Sequence, residues 1–139
     1  RVTGSRIEPT RYEAEWGYCP EFTAIRGTGA KYIPENNASG RAVVMNLGGS
    51  ESNYLEWKDV HSRKGGEYSL SLRVKSIEEL PVIHLSVNGF EATVRDKVPD
   101  GDFVILTYDA ILSEGRNSIK IWNRESILPA IDKIELKEQ

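Results

Sequence analysis

The sequence predicts an all-β domain, a sandwich or barrel of short antiparallel strands. Three observations lead there. Tyr68, Leu70, Leu72 and Val74 alternate with Ser69, Ser71 and Arg73, a period of two that no helix shows. Asn88-Gly89 separates two such runs and suits a tight hairpin, whose turn needs positive φ. Short apolar runs then recur at intervals of roughly 8–14 residues with turn residues between them, the signature of sandwiches and barrels.

Taken in order, residues 1–11 are polar, aperiodic and contain Pro9, so they read as a linker into a single domain over 12–139. Tyr12 to Trp16 reads as the first strand. Tyr32 falls in a polar stretch, Lys31 to Asn37, read as a loop. Ala42 to Met45 is an apolar run after Ser39-Gly40, and Tyr54 to Trp57 follows the polar segment Gly48 to Asn53. Gly65-Gly66 makes the turn into Tyr68 to Val74. The only helical candidate, Ser76 to Leu80, is stopped by Pro81. Val82 to Val87 and Phe90 to Val94 flank the hairpin turn. Phe103 to Tyr108 is a continuous apolar run, consistent with a strand buried on both faces. Ser113 to Asn117 turns the chain into Ser118 to Trp122, and Ile131 to Leu136 closes it.

The strand period places Glu13 and Glu15 on one face of the first strand. Asp132 shares its face of the last strand with Ile134 and Leu136, which look core-facing. A carboxylate beside an apolar face needs a partner, a proton or a metal. One reading is that the first and last strands pair and that Glu13, Glu15 and Asp132 hold a calcium ion. The other is that all three are solvated surface acids, which are common.

Composition narrows the function. The chain is 39% hydrophobic and 28% charged, the balance of a globular domain long enough to bury a core. A net charge of −3 provides no basic field for nucleic acid or anionic lipid. No apolar run approaches the roughly 20 residues that cross a bilayer, so neither nucleic acid nor membrane insertion is expected. The first residue is Arg1, not Met, and the chain reads as a mature or excised piece. Cys19 is the single cysteine, so no internal disulfide supports the fold, and it reads as buried or inert.

Catalytic motifs are lacking. His61 and His84 lie far apart and off any helix, unlike the metalloprotease pattern. Gly48-Gly49-Ser50-Glu51-Ser52 lacks the second glycine of a nucleophile elbow, and Gly27-Thr28-Gly29 lacks the rest of a dinucleotide loop. With 21 acids, some pair meets glycosidase spacing by chance. The aromatics say more. Sugar binders stack a pyranose on such rings and add a few polar contacts. A sandwich core uses aromatics too, and core is the default for each ring. Trp122 differs, because Asn123-Arg124-Glu125-Ser126 follows it and puts it at a strand end entering a loop. Tyr32 is the second exposed candidate. Asn37-Ala38-Ser39 matches a glycosylation sequon, a pattern short enough to arise by chance.

These pieces, in this order, resemble carbohydrate-binding modules of families 6 and 35. The resemblance is carried by YEAE at 12–15, ASGRAVVMNLGG at 38–49 and YLEWKDVHSRKGGEYSLSLRVKS at 54–76, then by IHLSVNG at 83–89, EGRNSIKIWN at 114–123 and IDKIEL at 131–136. It implies a jelly-roll β-sandwich of two antiparallel sheets, non-catalytic, secreted, periplasmic or at the cell surface, and attached to a glycoside hydrolase that it holds near an oligo- or polysaccharide. It implies a structural calcium on Glu13, Glu15 and Asp132, with a backbone carbonyl near Arg41 as a further ligand; calcium takes six to eight oxygens, which suits that set. A monomer is expected. The family's sugar site combines aromatics with an Asn just before the last strand. This chain departs there, with Leu128-Pro129-Ala130, and Ala130 has no hydrogen-bonding side chain. Tyr32, Asn37, Trp122 and Asn123 are carried as the candidate sugar residues, Asn37 or Asn123 replacing the missing amide. The alternative is an accessory domain that has lost sugar binding and packs on a catalytic neighbour.

Overall fold

The computed structural model describes residues 11–20, 29–75, 82–95 and 103–139. The candidate linker up to residue 10, Gly27 and Thr28 of the Gly27-Thr28-Gly29 stretch, and the helical candidate at 76–80 lie outside the described residues. The described chain forms ten strands and one short 3-10 turn: β1 (Arg11–Glu13), the turn η1 (Ala14–Trp16), β2 (Lys31–Pro34), β3 (Ala42–Met45), β4 (Leu55–Ser62), β5 (Gly66–Lys75), β6 (Val82–Val87), β7 (Phe90–Arg95), β8 (Phe103–Leu112), β9 (Gly115–Trp122) and β10 (Ala130–Glu138). Every pairing is antiparallel.

Two sheets result. The first is six-stranded in the order β2-β3-β10-β5-β8, with β1 also on β10; the second is four-stranded in the order β4-β9-β6-β7. Non-sequential neighbours in both sheets give the jelly-roll sandwich. The alternation in β5 has its predicted effect: Tyr68, Leu70, Leu72 and Val74 are buried while the serines and Arg73 between them are half-buried. Opposite them, Leu55 and Trp57 of β4, Ile119 and Ile121 of β9, and Ile83 and Leu85 of β6 complete one core between the sheets. Each buried Leu, Ile or Val contributes about 1.5–3 kcal/mol relative to exposure. Asn88 and Gly89 both adopt positive φ, 52° and 89°, so the β6–β7 hairpin has the turn its dipeptide predicts.

Four elements differ from the sequence reading, each for a physical reason. Tyr12 to Trp16 is not one strand: β1 stops at Glu13 and the chain winds into η1. Tyr32 lies in a strand, not a loop, because β2 pairs with β3 from Lys31↔Met45 to Pro34↔Ala42. The register of β10 against β5 shifts between Ile131 and Lys133. This bulge lets Ile131 and Ile134 both face the core, with wholly buried Asp132 between them. Finally, Phe103 to Tyr108 is not buried on both faces: among the described residues β8 is an edge strand, and Ile105 is 61% exposed.

One buried amide ties the strand ends together. Asn117 accepts from Asn88 Nδ2 at 2.8 Å and from the Ser113 amide at 2.7 Å. Its Nδ2 lies 3.1 Å from the Val60 carbonyl, 3.0 Å from that of Ser113 and 3.1 Å from that of Gly115. Losing it strands several buried polar groups at once. Asn117→Ala is expected to cost about 2–4 kcal/mol in urea unfolding at neutral pH, with an unchanged m-value.

Candidate functional site

The structure brings the three acids singled out in the sequence to one place, although by a different route. Glu13 ends β1 opposite Lys133 of β10. Because η1 follows at once, Glu15 leaves the strand, yet its carboxylate returns beside that of Glu13. Both lie against Gly40: a methyl group there would sit 2.6 Å from Glu15 Oε2 and 2.8 Å from Glu13 Oε1. Glycine leaves the space in which the two carboxylates meet. Asp132 approaches from the β10 bulge. Ser39 links it to Glu13: the Ser39 amide donates to Asp132 Oδ1 at 3.0 Å and Oδ2 at 3.1 Å, and its hydroxyl donates to Glu13 Oε2 at 2.8 Å.

Cations balance part of this charge. Arg73 reaches Asp132 Oδ2 at 2.6 Å and also donates to the Asn37 carbonyl at 3.1 Å. Arg11 pairs with Glu13 Oε2 at 3.0 Å. Two buried oxygens, Glu13 Oε1 and Glu15 Oε1, have no hydrogen-bond partner. Such atoms are costly in a folded interior and ask for a proton or a cation. Burial, with the neighbouring charges of Glu13 and Asp132, raises the Glu15 pKa above its usual 4.5, against the lowering effects of a backbone hydrogen bond and of Arg11. The donors thus suit a hard cation at the Glu13–Glu15 pair. Among the described residues, however, no three of His, Cys, Asp and Glu group closely enough to enclose an ion by themselves. Asp132 is already drawn to Arg73 and Ser39. The Arg41 carbonyl accepts from the Glu35 amide at 2.9 Å, and a carbonyl retains a second lone pair.

The candidate sugar residues fall into two pairs on different sheets. Tyr32 and Asn37 are exposed, in β2 and in the turn that follows it. Trp122 ends β9 in the other sheet, and Asn123 follows it. Trp122 is at a strand end, as the sequence suggests, but it is not exposed: only 6% of it is accessible. Its ring stacks on cross-strand His84 at 4.7 Å, and the Arg124 guanidinium lies 4.9 Å from it. Asn123 is buried too. Its Oδ1 accepts from the amides of Glu125 and Ser126, and its Nδ2 donates to the Val82 carbonyl, so it shapes the loop.

The outer face of the four-stranded sheet also carries groups that sequence reasoning did not single out. A polar cleft of about 270 Å³ is lined by Glu51, Ser86, Glu91, Lys120, Trp122 and Arg124. Beside η1, a second of about 250 Å³ includes Trp16, Tyr18, Glu56, Lys58 and Asp59. Trp16 is 60% and Tyr18 49% exposed, the reverse of the core placement expected for Trp16. Only the break at η1 turns that ring outward, and local alternation carries no sign of it. Cations sit on several of these rings: Lys58 lies 3.8 Å from the Tyr18 centroid and Lys120 lies 4.2 Å from that of Tyr54. Cys19 packs half-buried against the core and is in no disulfide.

No family model and no curated protein matches the chain. Solved structures do match. A family 35 carbohydrate binding module from Clostridium thermocellum is 27% identical, with a TM-score of 0.81 over 92% of this chain and 98% of that one. The family 35 module from Paenibacillus barcinonensis shares the fold at 17% identity, a TM-score of 0.77, and 94% and 100% coverage. The exo-beta-1,3-galactanase from Phanerochaete chrysosporium, solved with galactose, matches at 25% identity and a TM-score of 0.73 over 95% of this chain. The match takes in 30% of that enzyme's chain. The chain therefore has the two-sheet jelly-roll fold of a carbohydrate-binding module. Within that class, the similarity to the family 35 module from Clostridium thermocellum extends over 92% of this chain.

The acid cluster generates a prediction of its own. The folded state binds a proton at Glu15 more tightly than the unfolded chain does. The ionised side chain therefore costs stability at neutral pH, and that cost disappears as pH falls through the raised value. In chelator-treated protein at pH 7, Glu15→Gln is expected to raise the melting temperature by about 2–5 °C. The gap to wild type should close as the pH is lowered towards 4.5. A gap that stays constant with pH would remove Glu15 ionisation as its cause.

Proposed function

We propose that this chain is a non-catalytic sugar-binding module, stabilised by calcium, that works outside the cell beside a catalytic glycoside hydrolase domain. The observation that carries this reading is the domain-long similarity to a family 35 carbohydrate binding module. The match to under a third of the galactanase chain supports the attachment, since a like domain there is part of a larger enzyme. Among the described residues no helix is long and apolar enough to cross a membrane.

Calcium is proposed for the acid cluster because Glu13 and Glu15 hold buried oxygens without partners. Asp132 and the Arg41 carbonyl are the further ligands in this reading. The ion would do no chemistry. It would supply positive charge where the first and last strands meet, and hard carboxylate and carbonyl oxygens are what calcium prefers. Sugar binding is proposed for the outer face of the four-stranded sheet, where Trp16 and Tyr18 are open and Trp122 floors a cleft rimmed by Glu51, Glu91 and Arg124. Rings give a pyranose its apolar contact, and flanking charged groups serve its hydroxyls. Tyr32 and Asn37 form a separate exposed patch, and Asn123 acts by holding the loop after Trp122.

One observation favours the accessory-domain reading. Ala130 is buried in a small cluster with Ala38 and Val43, so the position before the last strand offers no side chain to a sugar. The two readings separate in one experiment. A glycan array on the isolated chain is expected to return a hit in the micromolar-to-millimolar range. Trp16→Ala should weaken that hit about tenfold, as loss of one stacking ring does, while Tyr32→Ala should leave it unchanged. No hit on any glycan would favour the accessory role. For calcium, millimolar addition to chelated protein is expected to raise the unfolding free energy by RT ln(1 + [Ca]/Kd), and the melting temperature with it, a rise that Glu15→Gln removes.

A further inference from the structure

Strand β8 is an edge. It pairs with β5 along its whole length, from Gly66↔Leu112 to Lys75↔Phe103, and no strand lies on its other side among the described residues. A long open edge presents a row of backbone N–H and C=O groups that can template another strand. Proteins block such edges with short strands, proline, charge or a bulge. The other edges here are blocked in those ways. β1 has three residues, and β2 has four and ends in Pro34. β4 is bulged between Trp57 and Val60 and carries Lys58 and Asp59 there. β7 has six residues and carries the charge of Glu91. β8 has ten residues, no proline, no lysine and one charge, Asp109. On its outer face Ile105 and Ile111 are 61% and 73% exposed.

We propose that a second copy of this chain covers that edge, β8 against β8, antiparallel about a twofold axis at Tyr108. The occupant is argued from the strand itself, which is self-complementary about that residue. Ile105 and Ile111 lie three positions to either side, and Thr107 and Asp109 one position to either side. The axis sets Ile105 against the partner's Ile111, twice, and sets the Thr107 hydroxyl to donate to the partner's Asp109. Inward residues stay inward, because paired positions keep the same parity. Sliding by two residues instead places Asp109 against the partner's Asp109, or Ile105 against the partner's Asp109, and both are unfavourable cross-strand pairs. An axis between residues would turn each face inside out.

A groove of about 410 Å³ runs beside the same edge, lined by Val87, Phe90, Tyr108, Ala110 and Ile111 among others, and extends the apolar surface that a partner covers. Ten residues at about 3.4 Å each give a contact roughly 34 Å long. Backbone pairing with two isoleucine pairs falls at the small end of specific interfaces, so association in the micromolar range is expected.

Sedimentation equilibrium on the chain, from about 1 to 300 μM, tests this. A monomer–dimer equilibrium is expected for the wild type. Ile105→Lys and Ile111→Glu should each weaken it by about tenfold or more, because each sets a charge against an isoleucine. In the double variant the new lysine faces the partner's new carboxylate at both pairs. Association should then return to within about threefold of wild type, and an equimolar mixture of the single variants should associate better than either alone. Both positions are exposed, and circular dichroism confirms that the variants fold. A wild-type chain that stays monomeric throughout, or a double variant as dissociated as the single ones, overturns the proposal.

Discussion

The structure depends on how buried carboxylates are matched where the chain begins and ends. Glu13 closes β1, Asp132 occupies the β10 bulge, and Ser39 joins them from the β2–β3 turn. An isolated buried charge costs far more than a hydrogen bond returns. The positions of Arg11, Arg73 and Ser39 are therefore constrained together. The same junction reaches the second sheet: the Trp57 indole of β4 donates to the Glu13 carbonyl at 2.8 Å. One polar knot thus binds the first strand to the last and one sheet to the other. It leaves two carboxylate oxygens without hydrogen-bond partners, and that deficit is what motivates the proposal of a cation there.

Away from this knot the two sheets present different surfaces. The four-stranded sheet turns outward a mixture of rings and paired charges, with His84 stacked on Trp122 and lysines over tyrosines. Such a surface can meet a polar, partly apolar ligand without large reorganisation, since its side chains are already mutually ordered. The six-stranded sheet ends instead in an apolar edge with few polar groups. A surface of that kind favours a partner strand over a small polar molecule, so the two ends of the molecule are suited to different contacts.

Much of the fold was legible in the sequence, and the failures are specific. The strands with clean alternation, β5 and β6, and the Asn88-Gly89 turn were read correctly, because period and turn chemistry are local. β2 was missed because Lys31, Pro34 and the following asparagines look like loop. Phe103 to Tyr108 was misread because an apolar run does not say how many of its faces are covered. Of the site, the three acids singled out are linked through Ser39 and Gly40, though no three such groups among the described residues enclose an ion by themselves. Trp57 lies in the core and Tyr32 is exposed as read, but two rings are reversed: Trp16 is open because η1 breaks the alternation, and Trp122 is covered by His84 and Arg124.

The sequence alone determined the all-strand character, the Asn88-Gly89 hairpin turn and which residue types could meet at the chain ends. Those follow from backbone stereochemistry and from side-chain alternation over a few residues. Only the tertiary structure decided which carboxylates are buried, which rings face solvent and which strand has no neighbour on one side among the described residues. Each of these depends on groups far apart in the chain, as when Ser39 meets Asp132 across 93 residues. A side chain's solvation is set by what folds over it, and no local pattern contains that information.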